Sequence, residues 1–248
     1  MAEANVIKVT VWNEYAEEQK RPEVTSVHPA GLHNTIADFL NKDKGISATV
    51  SCMDDPEQGL SEKILNNTDV LLWWGHMYHH MVQDEYVRRV VDRVQRGMGI
   101  IFLHSAHRSK PFMSLLGTTG FLGWREAHEK CRVWTAAPTH PIAEGVPQQF
   151  LLEEEEMYTE PFGIPKPDDT VFISWFEGGN VFRSGVTFTR DYGKIFYFQP
   201  GHETYHTYHN PNVQRVILNA VKWAKPVVIM DSLDCPRMEP SLEKIGAK

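Results

Sequence analysis

The first hundred residues alternate short apolar segments with amphipathic ones, and this alternation limits the fold more than any other feature of the sequence. Four segments have the β-branched and apolar composition of strands, at 6–12, 46–52, 70–74 and 99–103. Between them, the spacing of apolar residues predicts helices over 31–41, 60–65 and 84–96. Strands that alternate with helices form βαβ units, so the pattern predicts an α/β fold with a doubly wound, mostly parallel sheet.

The second half of the chain predicts mainly strands, at 132–135, 149–153, 170–176, 181–189 and 194–199. The turn residues at 177–180 indicate a hairpin between two of these strands. A last helix is expected over 213–224, ended by Pro226. Residues 227–248 are expected to form an irregular tail. We therefore expect one domain over 1–248 with a β-rich segment added in its second half, and we consider a homo-oligomer in which the tail packs on a neighbouring subunit.

Eight of the twelve histidines follow the ends of predicted strands. They form three groups: His76, His79 and His80; His104 and His107; His202, His206 and His209. The carboxyl ends of parallel strands meet at one edge of an α/β sheet, where ligands bind. Imidazole transfers protons near neutral pH and is a common metal ligand. The sequence therefore predicts a pocket at this edge, lined by His33, His76, His104, His107 and His202.

Composition excludes several classes of function. The formal net charge of −7 argues against general nucleic-acid binding, which requires a basic surface. No stretch of 18 or more apolar residues predicts a membrane span. The N-terminal residues lack the features of a signal peptide. The three cysteines, without a CxxC motif, predict reduced thiols and a cytoplasmic location.

Five long stretches resemble the ThuA-like (trehalose utilisation) family: 69–90, 96–112, 139–147, 155–188 and 193–224. The resemblance covers most of the chain. It implies a fold similar to that of class I glutamine amidotransferases, a flavodoxin-like doubly wound sheet with helices on both faces. It also implies a role in the catabolism of trehalose and related disaccharides.

Amidotransferases of this fold carry a nucleophilic cysteine in a glycine-flanked turn after a central strand. The corresponding segment here is 103–107, with Ser105 at the expected nucleophile position and no flanking glycine. Late in the chain, Gln199 stands where the amidotransferase histidine would be, and His202 and Glu203 lie just beyond. We therefore predict that the protein does not hydrolyse glutamine. A hydrolase that uses Ser105 and His202 stays open as an alternative, although an unactivated serine is usually structural.

The segment from His202 to His206 matches the H-E-x-x-H pattern of zinc proteases, in which both histidines lie on one helix. Pro200, Gly201 and Pro211 leave little room for such a helix. No cofactor is certain from the sequence. If a divalent metal such as zinc binds, its ligands are expected from separate loops, with His76, His104 and His202 as candidates. His202 and Glu203 are expected to face the crevice, where truncation would cost stability little.

Further polar and aromatic residues stand at element ends and suit a small carbohydrate, because aromatic rings stack on its C–H face. The candidates for substrate binding are Glu14, His33, Trp74, His76, Ser105, Glu156, Tyr158 and Arg183. We hypothesise an isomerase, lyase or hydrolase of a sugar or keto-sugar, with His104, His107, His202 and Glu203 as the acid/base residues. The alternative is a non-catalytic sugar-binding or regulatory module on an amidotransferase scaffold.

Overall fold

The computed structural model describes residues 6–15, 21–243 and 246. Within these residues, nine strands form one sheet in the order β2-β1-β3-β4-β9-β8-β7-β5-β6. The strands are β1 Ile7–Asn13, β2 Ile46–Cys52, β3 Val70–Trp74, β4 Gly99–Leu103, β5 Gly123–Thr135, β6 Gln149–Thr159, β7 Asp169–Phe176, β8 Val181–Arg190 and β9 Gly193–Phe198. The helices are α1 Pro22–Val27, α2 Leu32–Leu40, α3 Glu62–Asn66, α4 Asp84–Gln95, α5 Lys110–Leu116 and α6 Pro211–Ala224.

Strands β2, β1, β3, β4 and β9 are parallel, and every pairing beyond β9 is antiparallel. The order of the parallel strands is that of flavodoxin-like sheets, with β9 as the fifth strand. The predicted doubly wound sheet with an added β-rich segment is therefore confirmed. Helices α2 and α6 pack together, and α4 packs between α3 and α5, which gives two helical layers. Every residue of β3 and β4 is buried, as expected for central strands covered on both faces.

Several bounds differ from the predicted ones. Strand β5 begins at Gly123 rather than at residue 132, and β6 continues to Thr159 rather than ending at residue 153. Register irregularities between β5 and β6 interrupt the alternation of inward and outward side chains, so periodicity alone misses these extensions. Helices α1 and α5 were not predicted, because each has only six or seven residues.

Residues 227–243 contain no helix or strand. Among the described residues, no helix is both long and apolar enough to cross a membrane. Strand β6 is last in the sheet order, yet its residue Glu156 reaches His104 at the end of β4. The antiparallel part of the sheet therefore curves back over the carboxyl edge of the parallel part, and this curvature encloses the candidate site.

Candidate functional site

Three imidazole rings meet at the carboxyl edge of the sheet, each from a different strand end. His76 follows β3, His104 follows β4 and His202 follows β9. The ring centroids of His104 and His202 are 5.3 Å apart, as are those of His76 and His202, and those of His76 and His104 are 6.1 Å apart. We call these three residues the histidine cluster.

Glu203 is buried behind the histidine cluster and links it to a cation. Its Oε1 lies 3.0 Å from Nδ1 of His76 and 3.1 Å from Nη1 of Arg21. Burial alone would raise the pKa of Glu203, but the hydrogen bond from His76 and the nearby histidine charges lower it to about 2. Burial likewise acts to lower the pKa of His76, but Glu203 outweighs it and raises that pKa. Glu203 is therefore ionised, and His76 takes up a proton more readily than an ordinary histidine.

His104 is fully buried and lies between two acceptors. Its Nδ1 is 3.0 Å from the carbonyl oxygen of Gln199, and its Nε2 is 2.9 Å from Oε2 of Glu156. Burial disfavours the charged ring, but contact with Glu156 and the charges of other carboxylates raise the pKa of His104 to about 9. The contact departs from straight hydrogen-bond geometry, so Nε2 and Oε2 both lack a well-aligned partner. This pair is therefore charged yet incompletely hydrogen-bonded.

The strained backbone position in the turn after β4 belongs to His104, with φ of +52°. The sequence comparison had placed the nucleophile position at Ser105, one residue later. Ser105 instead donates its hydroxyl proton to the carbonyl oxygen of Gly75 at 2.6 Å. The side chain at the strained position of this turn is therefore an imidazole, and the neighbouring serine is held by a hydrogen bond to the loop after β3.

Two other histidines in the site are neutral. Burial lowers the pKa of His202 to about 4 and that of His107 to about 3. Nδ1 of His107 is 2.6 Å from the carbonyl oxygen of Gly120, so this nitrogen carries the proton and Nε2 is the acceptor. Nδ1 of His202 is 2.8 Å from the hydroxyl of Thr204. The site therefore holds imidazoles with opposite tendencies to bind a proton.

Two buried carboxylates position the loops rather than the substrate. Glu155 accepts hydrogen bonds from the backbone of Gly201 and His202 and from the hydroxyl of Thr207. Glu14 accepts from the backbone N–H groups of His76 and Met77 at 3.0 and 2.8 Å. Glu14 does not line the cavity described next, so its contacts differ from the substrate contacts expected for it.

A cavity of about 550 Å³ opens beside the histidine cluster. Of the expected site residues, it is lined by His76, Ser105, His107, Glu156 and Tyr158. It is also lined by side chains that were not predicted as site residues: Arg21, Met77, Arg108, Phe121, Leu122, Trp124 and Glu126. The exposed fractions of Phe121 and Trp124 are 52% and 67%, which is high for aromatic residues. Their position beside glycines, in the segment 120–124, was the signal in the sequence for exposed aromatic residues.

Three expected substrate-binding residues have other partners. Nδ1 of His33 lies 3.1 Å from the side-chain amide of Asn13. Trp74 is buried, and its ring N–H donates to the carbonyl oxygen of Gly201. Arg183 forms a two-pronged ion pair with Glu160. None of the three lines the cavity, because each side chain is used within the fold.

Two sets of side chains could hold a metal ion among the described residues. The first is His76, Glu156 and His202, and the second is His104, His202 and Glu203. Within each set, one donor atom per residue lies within 4.8 Å of the others. His206 belongs to neither set, because the segment after His202 is a loop and residues 206–209 form one 3-10 turn. The H-E-x-x-H pattern therefore does not form a helical metal site.

A family model described as trehalose utilisation, ThuA, matches residues 8–224. The chain belongs to the ThuA family. This membership supports a function associated with trehalose utilisation. A search of curated protein sequences gives no significant match.

Solved structures that resemble this ThuA protein agree in fold. A putative ThuA-like protein from Parabacteroides merdae has a TM-score of 0.66 at 14% identity, over 92% of this chain and 93% of that one. A glutamine amidotransferase from Thermotoga maritima has a TM-score of 0.53 at 11% identity, over 88% and 97%. A β-galactosidase from Bacillus circulans has a TM-score of 0.55 at 12% identity, over 89% of this chain and 32% of that one. At these identities the likeness establishes the fold alone.

Proposed function

We propose that this ThuA protein is an enzyme that acts on a small keto-sugar of the trehalose type by histidine acid/base chemistry. One observation carries the proposal: imidazoles with opposite proton affinities lie at one cavity. Burial lowers the pKa of His107 to about 3, whereas Glu203 raises the pKa of His76 despite its burial. A site that separates the pKa values of its groups in this way assigns the acid and the base.

The base in this proposal is His107. Its bond to Gly120 fixes the tautomer, so the unprotonated Nε2 is available to accept a proton. A carbonyl acidifies the hydrogens on the adjacent carbon, and His107 removes one of them. The negative charge that develops on the carbonyl oxygen is stabilised by the protonated His76 or by Arg21 and Arg108, which line the same cavity.

The roles of the other expected catalytic residues are indirect. Through the 3.0 Å contact, Glu203 favours the protonated form of His76 and fixes the orientation of its ring. His104 is fully buried and keeps Glu156 ionised at the cavity wall. His202 lies between them as a neutral ring. These residues position charge around the substrate, and removal of the proton from carbon is assigned to His107.

Binding of a sugar is supported by the exposed rings of Phe121 and Trp124 at the cavity and by its mixed charges. Aromatic faces suit the C–H side of a sugar, and arginine and carboxylate groups suit its hydroxyls. Glu126 and Glu156 supply the carboxylates. A cytoplasmic location, a carbohydrate partner and the absence of nucleic-acid or membrane partners remain predictions from the sequence.

The test is hydrogen exchange at carbon. Wild-type protein is incubated with a 3-keto disaccharide in D₂O, and NMR follows loss of the hydrogens next to the carbonyl. The His107→Asn variant keeps a donor toward Gly120 but has no basic nitrogen, and should slow exchange at least ~100-fold. The control variant His80→Asn, at an exposed histidine, should exchange at the wild-type rate.

Two results would contradict the proposal. Full exchange in His107→Asn would exclude His107 as the base. Tight binding of the sugar by wild type without exchange or bond cleavage would favour the non-catalytic alternative, a sugar-binding or regulatory module.

A further inference from the structure

We infer that His76, His202 and Glu156 form a binding site for a divalent transition-metal ion at the inner wall of the cavity. One donor atom from each residue lies within 4.8 Å of the other two. Two imidazoles and one carboxylate are a common ligand set of catalytic zinc sites. The three residues come from the ends of β3 and β9 and from β6, so the curvature of the sheet brings them together.

The hydrogen bonds behind the two histidines leave one nitrogen of each ring for a ligand. Nδ1 of His76 is bound to Glu203 at 3.0 Å. Nδ1 of His202 contacts the hydroxyl of Thr204 at 2.8 Å and accepts from the backbone N–H of Thr204 at 3.3 Å. Binding of an ion at Nε2 would move the ring proton of His202 to Nδ1, which would then donate to the Thr204 hydroxyl. The remaining nitrogen of both rings is Nε2. A histidine that binds a metal almost always donates its other N–H to a carboxylate or another oxygen, which fixes the ring. The pair Glu203 and His76 has this arrangement.

Buried carboxylate oxygens whose hydrogen bonding is incomplete also point to a cation. Oε2 of Glu156 is buried without a well-aligned hydrogen bond, and so is Oε2 of Glu203. Nε2 of His202 lies 3.6 Å from Oε2 of Glu203 and 3.7 Å from Oε1 of Glu126, and both distances are too long for hydrogen bonds. Buried polar groups in folded proteins are normally satisfied, so carboxylate oxygens with incomplete hydrogen bonding beside two imidazoles favour a cation at this position.

The set His76, Glu156 and His202 is favoured over the set with His104 and Glu203 because it borders the cavity. His76 and Glu156 line the cavity, whereas His104 and Glu203 are completely buried. Three protein ligands would leave one position of a tetrahedral ion open for water or a substrate atom.

The ion would take the place of the Nε2 proton of His76, so positive charge would stay beside the cavity. The inference concerns the site of the proposed function but does not depend on it, because metal binding is measured without substrate. His107 is not one of the three ligands, so its role as the base is the same whether His76 binds a proton or a metal ion.

The experiment is a zinc titration of chelator-treated full-length protein against a chromophoric competitor. One Zn²⁺ per chain is expected, with a Kd at or below ~1 µM, that is about −8 kcal/mol. His76→Ala, His202→Ala and Glu156→Gln should each weaken binding at least ~100-fold, more than the loss expected from removing an outer partner. The exposed His206→Ala and His80→Ala are matched controls and should bind as wild type does.

His104→Asn separates the two ligand sets. Asparagine tolerates the left-handed backbone at this position and keeps a donor toward Gln199. Zinc affinity should fall by ~10- to 100-fold in this variant, less than in the ligand variants, because His104 is a partner of the ligand Glu156 and not itself a ligand. Loss of binding in His104→Asn with normal binding in Glu156→Gln would overturn the assignment.

X-ray absorption of the zinc-loaded wild type keeps the test valid if a variant does not fold. The expected spectrum shows nitrogen and oxygen ligands at about 2.0–2.2 Å, with imidazole scattering and no sulfur. A folded wild type that binds no Zn²⁺, or a sulfur ligand in the spectrum, would overturn the inference.

Discussion

The carboxylate of Glu155 accepts a hydrogen bond from the backbone N–H of His202 at 3.2 Å, across 47 residues of sequence. The same side chain accepts from the backbone of Gly201 at 2.9 Å and from the hydroxyl of Thr207 at 2.8 Å. A strand of the added β-rich segment thereby fixes the loop that carries His202. The close approach of Gly201 to Tyr208, with φ of +144°, leaves no room for a Cβ and holds the same loop from its other side.

Replacement of Glu155 by alanine should destabilise the fold strongly. Each buried donor left without a partner costs ~1–3 kcal/mol, and four donors depend on this carboxylate, the fourth being the backbone N–H of Glu156, so a loss of at least ~4 kcal/mol is expected. Urea unfolding gives the free energy, and hydrogen exchange of residues 200–207 should become faster. The exposed neighbour provides the control: Glu153→Ala should change the free energy of unfolding by less than ~0.5 kcal/mol. Equal stability of the two variants would rule out an anchoring role for Glu155.

Glu203→Ala should also destabilise the protein, contrary to the expectation from sequence. That expectation had both His202 and Glu203 point toward the crevice, with little effect of truncation on stability. Their exposed fractions are 1% and 0%, so truncation removes buried contacts, and we now predict a larger effect. Removal of the Glu203 carboxylate leaves His76 and Arg21 without it, and breaking a buried ion pair costs ~3–5 kcal/mol. Urea unfolding of Glu203→Ala at pH 7 measures the loss. An unchanged midpoint would mean that solvent replaces the carboxylate.

The parallel sheet could be predicted because its signals are local. Unbroken apolar strands such as 70–74 and 99–103, and the regular spacing of the helices between them, determine the type of each element. The positions of His76, His104 and His202 followed from the rule that strand ends share one edge. The proximity of these three histidines could therefore be predicted without any knowledge of side-chain contacts.

The wall opposite the histidine cluster could not be predicted, because it depends on contacts distant in sequence. Arg21 reaches Glu203 across 182 residues, and Trp124 lies at the start of a strand whose first half has no regular alternation. In the run 153–156, sequence alone did not determine which glutamates turn inward. A register irregularity in β6 buries Glu155 and Glu156 together and leaves Glu153 and Glu154 exposed.

His28 should make the protein sensitive to acid. Burial lowers its pKa to about 4, against 6.5 for an ordinary histidine, and its Nε2 is buried without a partner. Above pH 6.5 neither the folded nor the unfolded state binds this proton. As the pH falls from 6.5 to 4, only the unfolded state binds it, so stability is lost by up to about 3 kcal/mol.

The His28→Gln variant should therefore lose less stability than wild type between pH 7.5 and pH 4.5. Urea unfolding at both pH values measures the difference, and the exposed His80→Gln is the control. The same pH dependence in His28→Gln and wild type would show that His28 is protonated equally in both states.

Glutamine should not be hydrolysed. The hydroxyl of Ser105 is bound to the carbonyl oxygen of Gly75, and no cysteine is among the residues that line the cavity. Gln199 cannot act as a base, and its side-chain amide donates to the backbone of Glu156. A coupled assay for ammonia should give the same rate with wild type, with Ser105→Ala and with buffer alone. Ammonia release that disappears in Ser105→Ala would contradict this prediction.

Trp124 should contribute to sugar binding without contributing to stability. It lines the cavity with 67% of its surface exposed, so truncation removes little packing from the fold. Stacking of a sugar on this ring should be worth about 1.4 kcal/mol, that is a tenfold change in Kd. Calorimetric titration of Trp124→Ala with trehalose-type and 3-keto disaccharides measures the affinity.

Trp175→Ala is the matched control, because Trp175 is 41% exposed on β7 and does not line the cavity. Trp124→Ala should bind about ten times more weakly than wild type and melt at the same temperature, whereas Trp175→Ala should bind normally. Equal affinity of the two variants would exclude Trp124 from the sugar site and leave the charged wall of the cavity as the recognition surface.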